Sequence, residues 1–472
     1  MSARRAAILA LAACMGCTGC MVGPDFQRPE LPPAAGYARD APAHGGQPIA
    51  DWWTLFESKQ IDELVRNGLA ASPNLAAASA ALRSSEASLQ AGKGVFYPEI
   101  DAGASAIRQR LTPARLGLAG PGSIFNLLTL AVGISYAIDV FGGNRRTVEK
   151  LAAQVDYQRA LHDSAYLTLT GNLVNTAIAQ SAYAAQLRAT EDLIGLQQRQ
   201  VALAEAQWQA GTAAYSGVVA ARSQLAASEA AAPVLRQRLA AAEDLLASLS
   251  GRTPAEWTAG AIAFGDIKLP ADIPLSLPSE LVRQRPDILA AEASLHAASA
   301  QVGIATAALF PSLTLGATGG VQGPTTSSLH DSANRIWSVG PTVNVPVFSG
   351  FSGVYGRDAA KAQYEQAFEE YKQTVVNAFA QVGDSLHALD NDAQSEAAQR
   401  AAFDLSVRQS ELARANREGG LASELQELAA RQAVEFARIS LLQARAQRLQ
   451  DTTALYVALG RPWREEPAKA RP

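Results

Sequence analysis

The chain contains one structural unit twice, and this repetition limits its possible folds more than any other feature. The interval from Pro73 to Pro98 equals the interval from Pro286 to Pro311. Two glycine pairs are also equally spaced along the chain: Gly211 with Gly251 and Gly420 with Gly460. Because helix-punctuating prolines and glycines recur in step, chance similarity between alanine-rich helices does not explain the match. An internal repeat of this kind determines the overall architecture of a chain more strongly than any local pattern does.

We assign the repeats to residues 61–251 and 280–460, joined by a Pro-rich linker at 252–279. A signal peptide at 1–19 and an extended segment at 20–60 precede them, and a tail at 461–472 follows them. Each repeat is predicted to contain a helix, a strand pair and a long helical hairpin. The strand pairs are expected at about 98–140 and about 311–348.

The N-terminus has the pattern of a bacterial lipoprotein signal. Arg4 and Arg5 precede an apolar run that is too short to cross a bilayer. We predict lipid attachment at Cys20, because small residues precede it and Met21 is not the aspartate that retains lipoproteins in the inner membrane. Cys14, which follows Leu-Ala-Ala, is the alternative, and an ordinary cleaved signal is a third interpretation. Cleavage before Cys20 leaves one cysteine and therefore no internal disulfide.

Composition excludes several classes of function. A net charge of −4 and a pI near 5.9, without a basic run, argue against nucleic-acid binding. The mean hydropathy is zero, and no apolar stretch is long enough for a transmembrane helix. The methionines and histidines form no metal-ligand cluster, and no P-loop or catalytic constellation is present. We therefore expect no enzymatic activity, no metal and no cofactor other than the covalent lipid.

Alternating residues predict strands of a particular kind. From Leu128 to Val140, large apolar residues occupy the even positions and small or polar residues the odd ones. We assign Ile134 and Ile138 to a lipid-facing side, and Ser135 and Ala137 to a lumen. Similar alternation occurs at 100–106, 313–321 and 337–347. A half-buried hairpin of a soluble protein would show the same pattern, and the signal peptide favours a membrane strand.

The helical segments match one another in length. The stretch from the Gly142-Gly143 turn to Gly211 would form a helix of about 100 Å. The return to Gly251 and the helix from Asn74 to Tyr97 together add about 96 Å. One long helix is thus matched by two shorter ones stacked end to end, and the second repeat follows the same plan. Near the C-terminus, a set of residues recurs at alternating spacings of three and four, which is the heptad-like pattern of coiled-coil packing. Its members are Ile439, Leu442, Ala446, Leu449, Thr453 and Tyr456.

Four strands cannot close a membrane barrel, because such barrels need at least about eight strands and an open edge is untenable in lipid. The chain must therefore obtain strands from copies of itself. Two copies would give eight strands and three would give twelve, and only the wider ring leaves a lumen. The expected fold is α+β: an oligomeric barrel continued by a helical tube.

Specific motifs resemble the outer-membrane efflux protein family of the TolC superfamily. They are Arg285-Pro286-Asp287-Ile288, Ala290-Ala291-Glu292, Val302-Gly303 and Phe310-Pro311. Gly23-Pro24-Asp25-Phe26 and Trp52-Trp53 resemble its lipoprotein branch (NodT/OprM type). The resemblance implies a homotrimer with a twelve-stranded outer-membrane barrel and an α-helical coiled-coil tunnel in the periplasm. It also implies an equatorial belt from residues 252–285, 21–60 and the tail.

The implied function is a passive exit channel for drugs or other small molecules in a tripartite efflux pump. Its partners would be a periplasmic adaptor and an inner-membrane pump of the resistance-nodulation-division type. A channel for type I protein secretion and a structural coiled-coil lipoprotein without a pore are the alternatives. The sequence does not identify the transported substrate, and the low methionine content weakly disfavours copper or silver.

The resemblance also assigns the helix turns to functional sites. Gly211-Thr212 and Gly420-Leu421 would be the periplasmic tips where the adaptor docks, although a helix stop alone would explain these glycines. At the aperture we expect an apolar ring of Leu425. Any charged contacts between copies would come from Glu424, Glu427 or Arg431, with Arg431 paired to one of the glutamates.

The chain departs from the family at this aperture. Members often have Leu-x-x-Leu-Asp-Ala-x-Arg after the second tip, whereas here Ala429 and Gln432 replace the acidic and basic residues. Without those two charges, closure is expected to depend mainly on Leu425.

The predicted lipid site can be tested by metabolic labelling. Cys20→Ala should abolish palmitate incorporation, because the acyl chains attach at the new N-terminal cysteine. Cys14→Ala should leave some labelled mature protein. The opposite pattern would move the cleavage site to Cys14.

Overall fold

The computed structural model describes residues 21–30, 51–112, 117, 120–258, 260, 262–270 and 284–460. The predicted signal, both candidate lipidation cysteines, the C-terminal tail and part of the linker lie outside these residues. The helices are α1 (Lys59–Ala71), α2 (Pro73–Gly92), α3 (Gly143–Gln209), α4 (Tyr215–Leu249), α5 (Pro286–Ala307), α6 (Ser352–Glu418) and α7 (Glu424–Leu459). The strands are β1 (Glu99–Leu111), β2 (Ser123–Ile138), β3 (Ser312–Gly323) and β4 (Arg335–Asn344).

The internal repeat is visible in the element lengths. Helices α3 and α6 are each 67 residues long, or about 100 Å at the rise of an α-helix. Their return helices α4 and α7 contain 35 and 36 residues. A helix followed by a strand also precedes each long helix, as α2 and β1 in the first repeat and α5 and β3 in the second.

Some element bounds differ from those expected. Strand β4 ends at Asn344, so Val345 and Val347 lie outside it. Pro346 explains this end, because proline has no amide hydrogen for the ladder. Helix α1 was not among the predicted elements, and it begins at an N-cap where the Ser58 hydroxyl accepts a hydrogen bond from the Ile61 amide.

The chain divides into two compact units, each built from segments of both repeats. Among the described residues, the sheet unit draws on 21–29, 82–158 and 291–371. The helical unit draws on 30, 51–81, 159–290 and 372–460. Because each unit needs both halves of the chain, neither repeat forms a unit alone.

In the sheet unit, the four strands form one antiparallel sheet in the order β1-β2-β3-β4. The pairing of β2 with β3 joins the two repeats, and β1 and β4 are the edges. Directly paired residues point to the same face of a sheet. One cross-strand row is apolar: Ile100, Ile134, Ala317 and Val339. The adjacent row on the other face is small or polar: Asp101, Gly133, Thr318 and Ser338.

The apolar face is open to the surroundings of this chain. Ile100 is 68% exposed, Val339 is 66% exposed and Trp337 is 79% exposed. On β2, Leu130, Val132 and Ile134 of the predicted apolar face are exposed as well, and this face continues in register across the sheet. The strand ends at Ile138, two residues before the predicted end at Val140. A sheet with an apolar outer face and a polar opposite face has the pattern of a membrane strand array.

The helical unit has a hydrophobic core around α3 and α7. Trp52 and Tyr456 stack with ring centroids 5.6 Å apart, and Trp53 packs against Tyr166. The Lys268 amide donates to the Phe56 carbonyl at 3.0 Å. Residues 52–56 of the N-terminal segment and residues 264–268 of the linker thus contact one core.

None of the described helices is both long enough and apolar enough to cross a membrane.

The two faces of β2 make a testable distinction. An arginine at the bilayer midplane on a lipid face costs about 2–4 kcal/mol, whereas a lumen position tolerates charge. Ile134→Arg should therefore lower the amount of assembled protein in outer membranes. Ser135→Arg, one residue away on the other face, is the control and should leave that amount near wild type. Equal yields in membrane fractions would contradict the face assignment.

Candidate functional site

The turn between α3 and α4 has a conformation that requires glycine. Gly211 has a φ of +73°, which side chains rarely adopt. The Thr212 amide and hydroxyl both donate to the Gln207 carbonyl, each at 2.9 Å. These two bonds supply donors to a backbone carbonyl that would otherwise be unsatisfied at the end of the helix. Glycine and threonine at this tip therefore have a structural cause, and their predicted role in docking stays a prediction.

The turn between α6 and α7 repeats this geometry. Gly420 also has a φ of +73°, and the Leu421 amide donates to the Asn416 carbonyl at 2.7 Å. Helix α7 then begins with a capping box, in which Ser423 and Gln426 hydrogen-bond to each other's backbone amide. The Leu421 side chain is 82% exposed. An apolar side chain is thus presented at the end of this hairpin.

An aromatic pair flanks the first tip. Trp208 and Tyr215 lie on opposite sides of the turn, with ring centroids 5.1 Å apart, and about half of each side chain is exposed. Sequence analysis missed this pair. The available signal was the position of two large aromatic residues on either side of Gly211 in an otherwise alanine-rich stretch.

The second tip contains a buried carboxylate that is paired within the chain. The Glu427 side chain is 8% exposed and forms an ion pair with Arg417 across the turn. The hydrogen bond to Glu427 and its charge raise the pKa of the Arg417 guanidinium. Sequence analysis assigned Glu427 to the aperture and missed Arg417. The proposed pairing of Arg431 with a glutamate of another copy stays a prediction.

The other aperture residues differ in exposure. Leu425 is half-buried and Glu424 is exposed. Arg431 is exposed and lines a cleft of about 400 Å³ that also includes Asp192 and Glu435. Burial raises the pKa of the Glu435 carboxyl, and nearby guanidinium groups, Arg431 among them, oppose that rise. Within the chain, Arg431 therefore faces acids on α3 and α7.

In the sheet unit, a buried arginine fixes the segment that follows the predicted lipidation site. Arg146 has a side chain only 1% exposed. It donates to the carbonyls of Val22 and Gly23, each at 3.3 Å, and to the carboxylates of Asp25 and Glu149, each at 2.7 Å. A buried charge with this many partners is well compensated. The first described residues of the chain are therefore held against the start of α3.

The same segment packs tightly against α5. Gly23 has a φ of +91°, and a Cβ there would lie 2.5 Å from the Cα of Gly303. Phe26 stacks on His296 with centroids 4.3 Å apart. The glycines of the Gly-Pro-Asp-Phe and Val-Gly motifs thus meet at a close backbone contact. This contact joins the N-terminal segment to α5, and no residue of the two hairpin turns or of the four strands takes part in it.

The Arg-Pro-Asp-Ile motif has a structural role in the helical unit. Arg285 is buried, and it donates to Asp287, to Gln381 on α6 and to the Ala458 carbonyl on α7. The Asp287 carboxylate also accepts from the Ile288 amide at 2.9 Å. The motif therefore joins the start of α5 to two other helices.

In the part of the chain that the structure describes, no group of three or more His, Cys, Asp or Glu residues is placed to hold a metal ion.

A two-faced four-stranded sheet, paired long helical hairpins and glycine tips together define an outer-membrane channel protein. A profile of the outer membrane efflux protein family matches residues 64–252 and 277–461. The pyoverdine export outer membrane protein OpmQ of Pseudomonas putida is 31% identical over 92% of this chain and 93% of its own length. The cation efflux system protein CusC of Escherichia coli K12 is 26% identical, covering 96% of this chain and 98% of its own.

A solved structure extends the match to three dimensions. The outer-membrane channel OprN superposes with a TM-score of 0.83 at 26% identity, covering 93% of this chain and 99% of that one. This chain belongs to the outer membrane efflux protein family, and its function is that of an outer-membrane efflux channel. The resemblance identified from the motifs is confirmed.

The ion pair at the second tip can be tested by amide hydrogen exchange. Arg417→Gln removes the cation from a carboxylate that is almost fully buried, so residues 419–428 should exchange severalfold faster. Arg414→Gln is the matched control, because its pair with Glu418 is long and exposed on both sides. Arg417→Gln combined with Glu427→Gln should restore part of the protection. Unchanged exchange in Arg417→Gln would show that the pair does not stabilise the turn.

Proposed function

We propose that this chain forms a homotrimeric exit channel that accepts small molecules from an inner-membrane pump and releases them outside the cell. The observation on which this depends is the four-stranded sheet with its exposed apolar face and two unpaired edges. In lipid, the backbone groups of β1 and β4 need partners, and only closure provides them. Three copies would supply twelve strands and leave an open lumen.

Exposed apolar residues on the helices support association of several copies. Leu405 and Leu412 on α6 are 64% and 66% exposed, and they lie one heptad apart. Val219 and Val234 on α4 are each 51% exposed. Isolated apolar residues on a surface need no explanation, but a heptad spacing on a long helix favours packing against another helix. We assign these faces to contacts between copies in a helical periplasmic tunnel.

The hairpin tips are the proposed contact with a periplasmic adaptor. Trp208, Tyr215 and Leu421 present apolar surface at the two turns, and large aromatic side chains are frequent anchors of protein interfaces. The adaptor would connect the channel to a pump of the resistance-nodulation-division type. The channel itself would carry out no chemistry and hold no metal, and a lipid on the N-terminal cysteine would be its only attached group.

The transported substrate is proposed to be selected by the pump. One relative is named for pyoverdine export and another for cation efflux, although both resemble this chain over almost its whole length. Channels of one fold thus belong to systems with chemically different substrates. A passive channel for drugs or other small molecules is the assignment that these likenesses support.

Planar-bilayer recording of the purified full-length protein tests this proposal together with the aperture. A ring of Leu425 would resist wetting, so Leu425→Ala should raise the resting conductance and, in cells, admit large antibiotics. Arg431→Ala should have a smaller effect that weakens with added salt, because exposed ion pairs contribute about 0–1 kcal/mol.

Native mass spectrometry of the same sample should give three copies. A protein that forms no pore under any of these conditions, or that is monomeric in membranes, would overturn the channel proposal. If Leu425→Ala leaves the conductance unchanged while reversal of a tip charge opens the pore, the gate is electrostatic.

A further inference from the structure

The charged residues on the outer, apolar face of the sheet all have the same sign. Cross-strand pairing assigns the even residues of β1 and β2 and the odd residues of β3 and β4 to this face. Within these four described strands the face carries no acidic residue, and its charged residues are Arg108, Arg110 and Arg335. The whole chain has a net charge of −4, so a general excess of basic residues does not explain the pattern.

The three arginines lie at the strand ends that are farthest from the helices. Strand β1 follows α2 and carries Arg108 and Arg110 near its far end, whereas β4 begins with Arg335 and leads to α6. Arg110 is ten residues beyond Ile100, which is about 33 Å of strand and, at a tilt of about 40°, about 25 Å across the membrane. The apolar band of a membrane barrel is about 25 Å tall. Since Ile100 belongs to the apolar row, Arg110 lies at the outer edge of the band or beyond it.

An aromatic side chain marks the same boundary on β4. Trp337 lies on the outer face, two residues from Arg335, and is 79% exposed. Tryptophan is enriched where the hydrocarbon of a membrane meets the headgroups, because its ring is apolar and its N–H is polar. Its position beside Arg335 therefore places this end of the strand at the level of the headgroups.

The described residues leave most of the donors of these arginines unused. Arg108 donates to the Asn126 side chain over a long 3.4 Å. No acidic group in the described part of the chain forms an ion pair with any of the three, and residues 111–123, which join β1 to β2, include no acidic residue. A guanidinium has five N–H donors in a planar fork that fits the oxygens of a phosphate. An anionic partner from outside the chain would use them.

The neighbouring surface identifies a lipid as the source of the anion. Ile124 is paired with Arg110 and is 59% exposed, and Ala106 precedes Arg108 on the same face. A soluble anion would contact only the guanidinium groups, whereas a lipid would also cover the apolar residues.

We propose that the outer end of β1 binds the phosphate groups of an anionic lipid in the outer leaflet, with Arg108 and Arg110 as its main ligands. The phosphate oxygens accept from the guanidinium groups, and the acyl chains lie along the apolar residues of the same face. The inference rests on the proposed channel, because closure of the barrel brings β4 of one copy beside β1 of the next. Arg335 then adds a third arginine at each junction between copies.

Native mass spectrometry of the purified full-length protein in a neutral detergent tests this proposal, because it counts copies and bound lipids together. The probe is diphosphoryl lipid A, whose headgroup carries two phosphates, and the control is phosphatidylcholine, whose headgroup has no net charge. The probe should bind once per copy, with an affinity about tenfold or more above that of the control. Added ammonium acetate should weaken its binding, because salt screens exposed charges.

Matched variants locate the binding. Arg108→Gln and Arg110→Gln should each weaken binding of diphosphoryl lipid A by about two- to fivefold, and together by about tenfold. Arg110→Gln combined with Gln109→Arg keeps the net charge but moves it to the opposite face, so this variant should bind as weakly as Arg110→Gln. Arg357→Gln is the control for loss of an exposed arginine elsewhere in the sheet unit. It should bind as wild type, because Arg357 is already paired with Asp358 at 3.1 Å.

Three results would overturn the proposal. The first is equal affinity for diphosphoryl lipid A and phosphatidylcholine. The second is wild-type affinity in the double glutamine variant or in the variant with the moved charge, which would place the binding elsewhere. The third is displacement of the lipid by inorganic phosphate at an ionic strength where ammonium acetate has no effect, which would assign the site to a soluble anion.

Failure of this inference and failure of the channel proposal give different results. Any of these three results in a trimer that conducts would leave the channel proposal intact. A monomer in the same spectra would overturn the channel proposal, and this inference with it. If the double glutamine variant does not assemble, the two single variants and the variant with the moved charge decide the question.

Discussion

The unpaired backbone of β1 and β4 is the constraint on which the organisation of this protein depends. Water can satisfy such edges in a soluble protein, but the hydrocarbon core of a membrane cannot. The apolar row through Ile100, Ile134 and Val339 requires that same environment for its outer face. The sheet is therefore complete only when other copies supply the missing strands. The unpaired backbone groups of these edge strands are therefore enough to require oligomerisation, without any specific side-chain contact.

Charged residues have a second organising role, because several are buried with their partners. Arg146 binds the backbone of residues 22–23, Arg285 joins α5 to α6 and α7, and Glu427 is paired across a hairpin turn. Removing one partner of such a group leaves an uncompensated charge, so these pairs fix geometry more strongly than exposed pairs do. Residues of the motifs that identify the family thus connect separate elements of this chain. The tips also expose three large apolar or aromatic side chains, Trp208, Tyr215 and Leu421.

Much of the candidate site could not be predicted from sequence. The glycine turns were found because positive φ restricts residue choice at Gly211 and Gly420. Arg417 was missed because its pairing with Glu427 depends on a turn that reverses the chain, and charges ten residues apart give no local signal. Strand β4 was predicted too long because alternation continues past the proline that ends it.

The sequence by itself determined the repeat, the element types, the two faces of the strands and the family. These follow from periodicity and from punctuating residues, which act over a few positions along the chain. Only the tertiary structure decided that β2 pairs with β3 across the two repeats, that each compact unit needs both halves, and which buried groups pair. Those features depend on contacts between residues far apart in the chain. Their free energy comes from burial and hydrogen bonding in three dimensions, which a linear pattern does not encode.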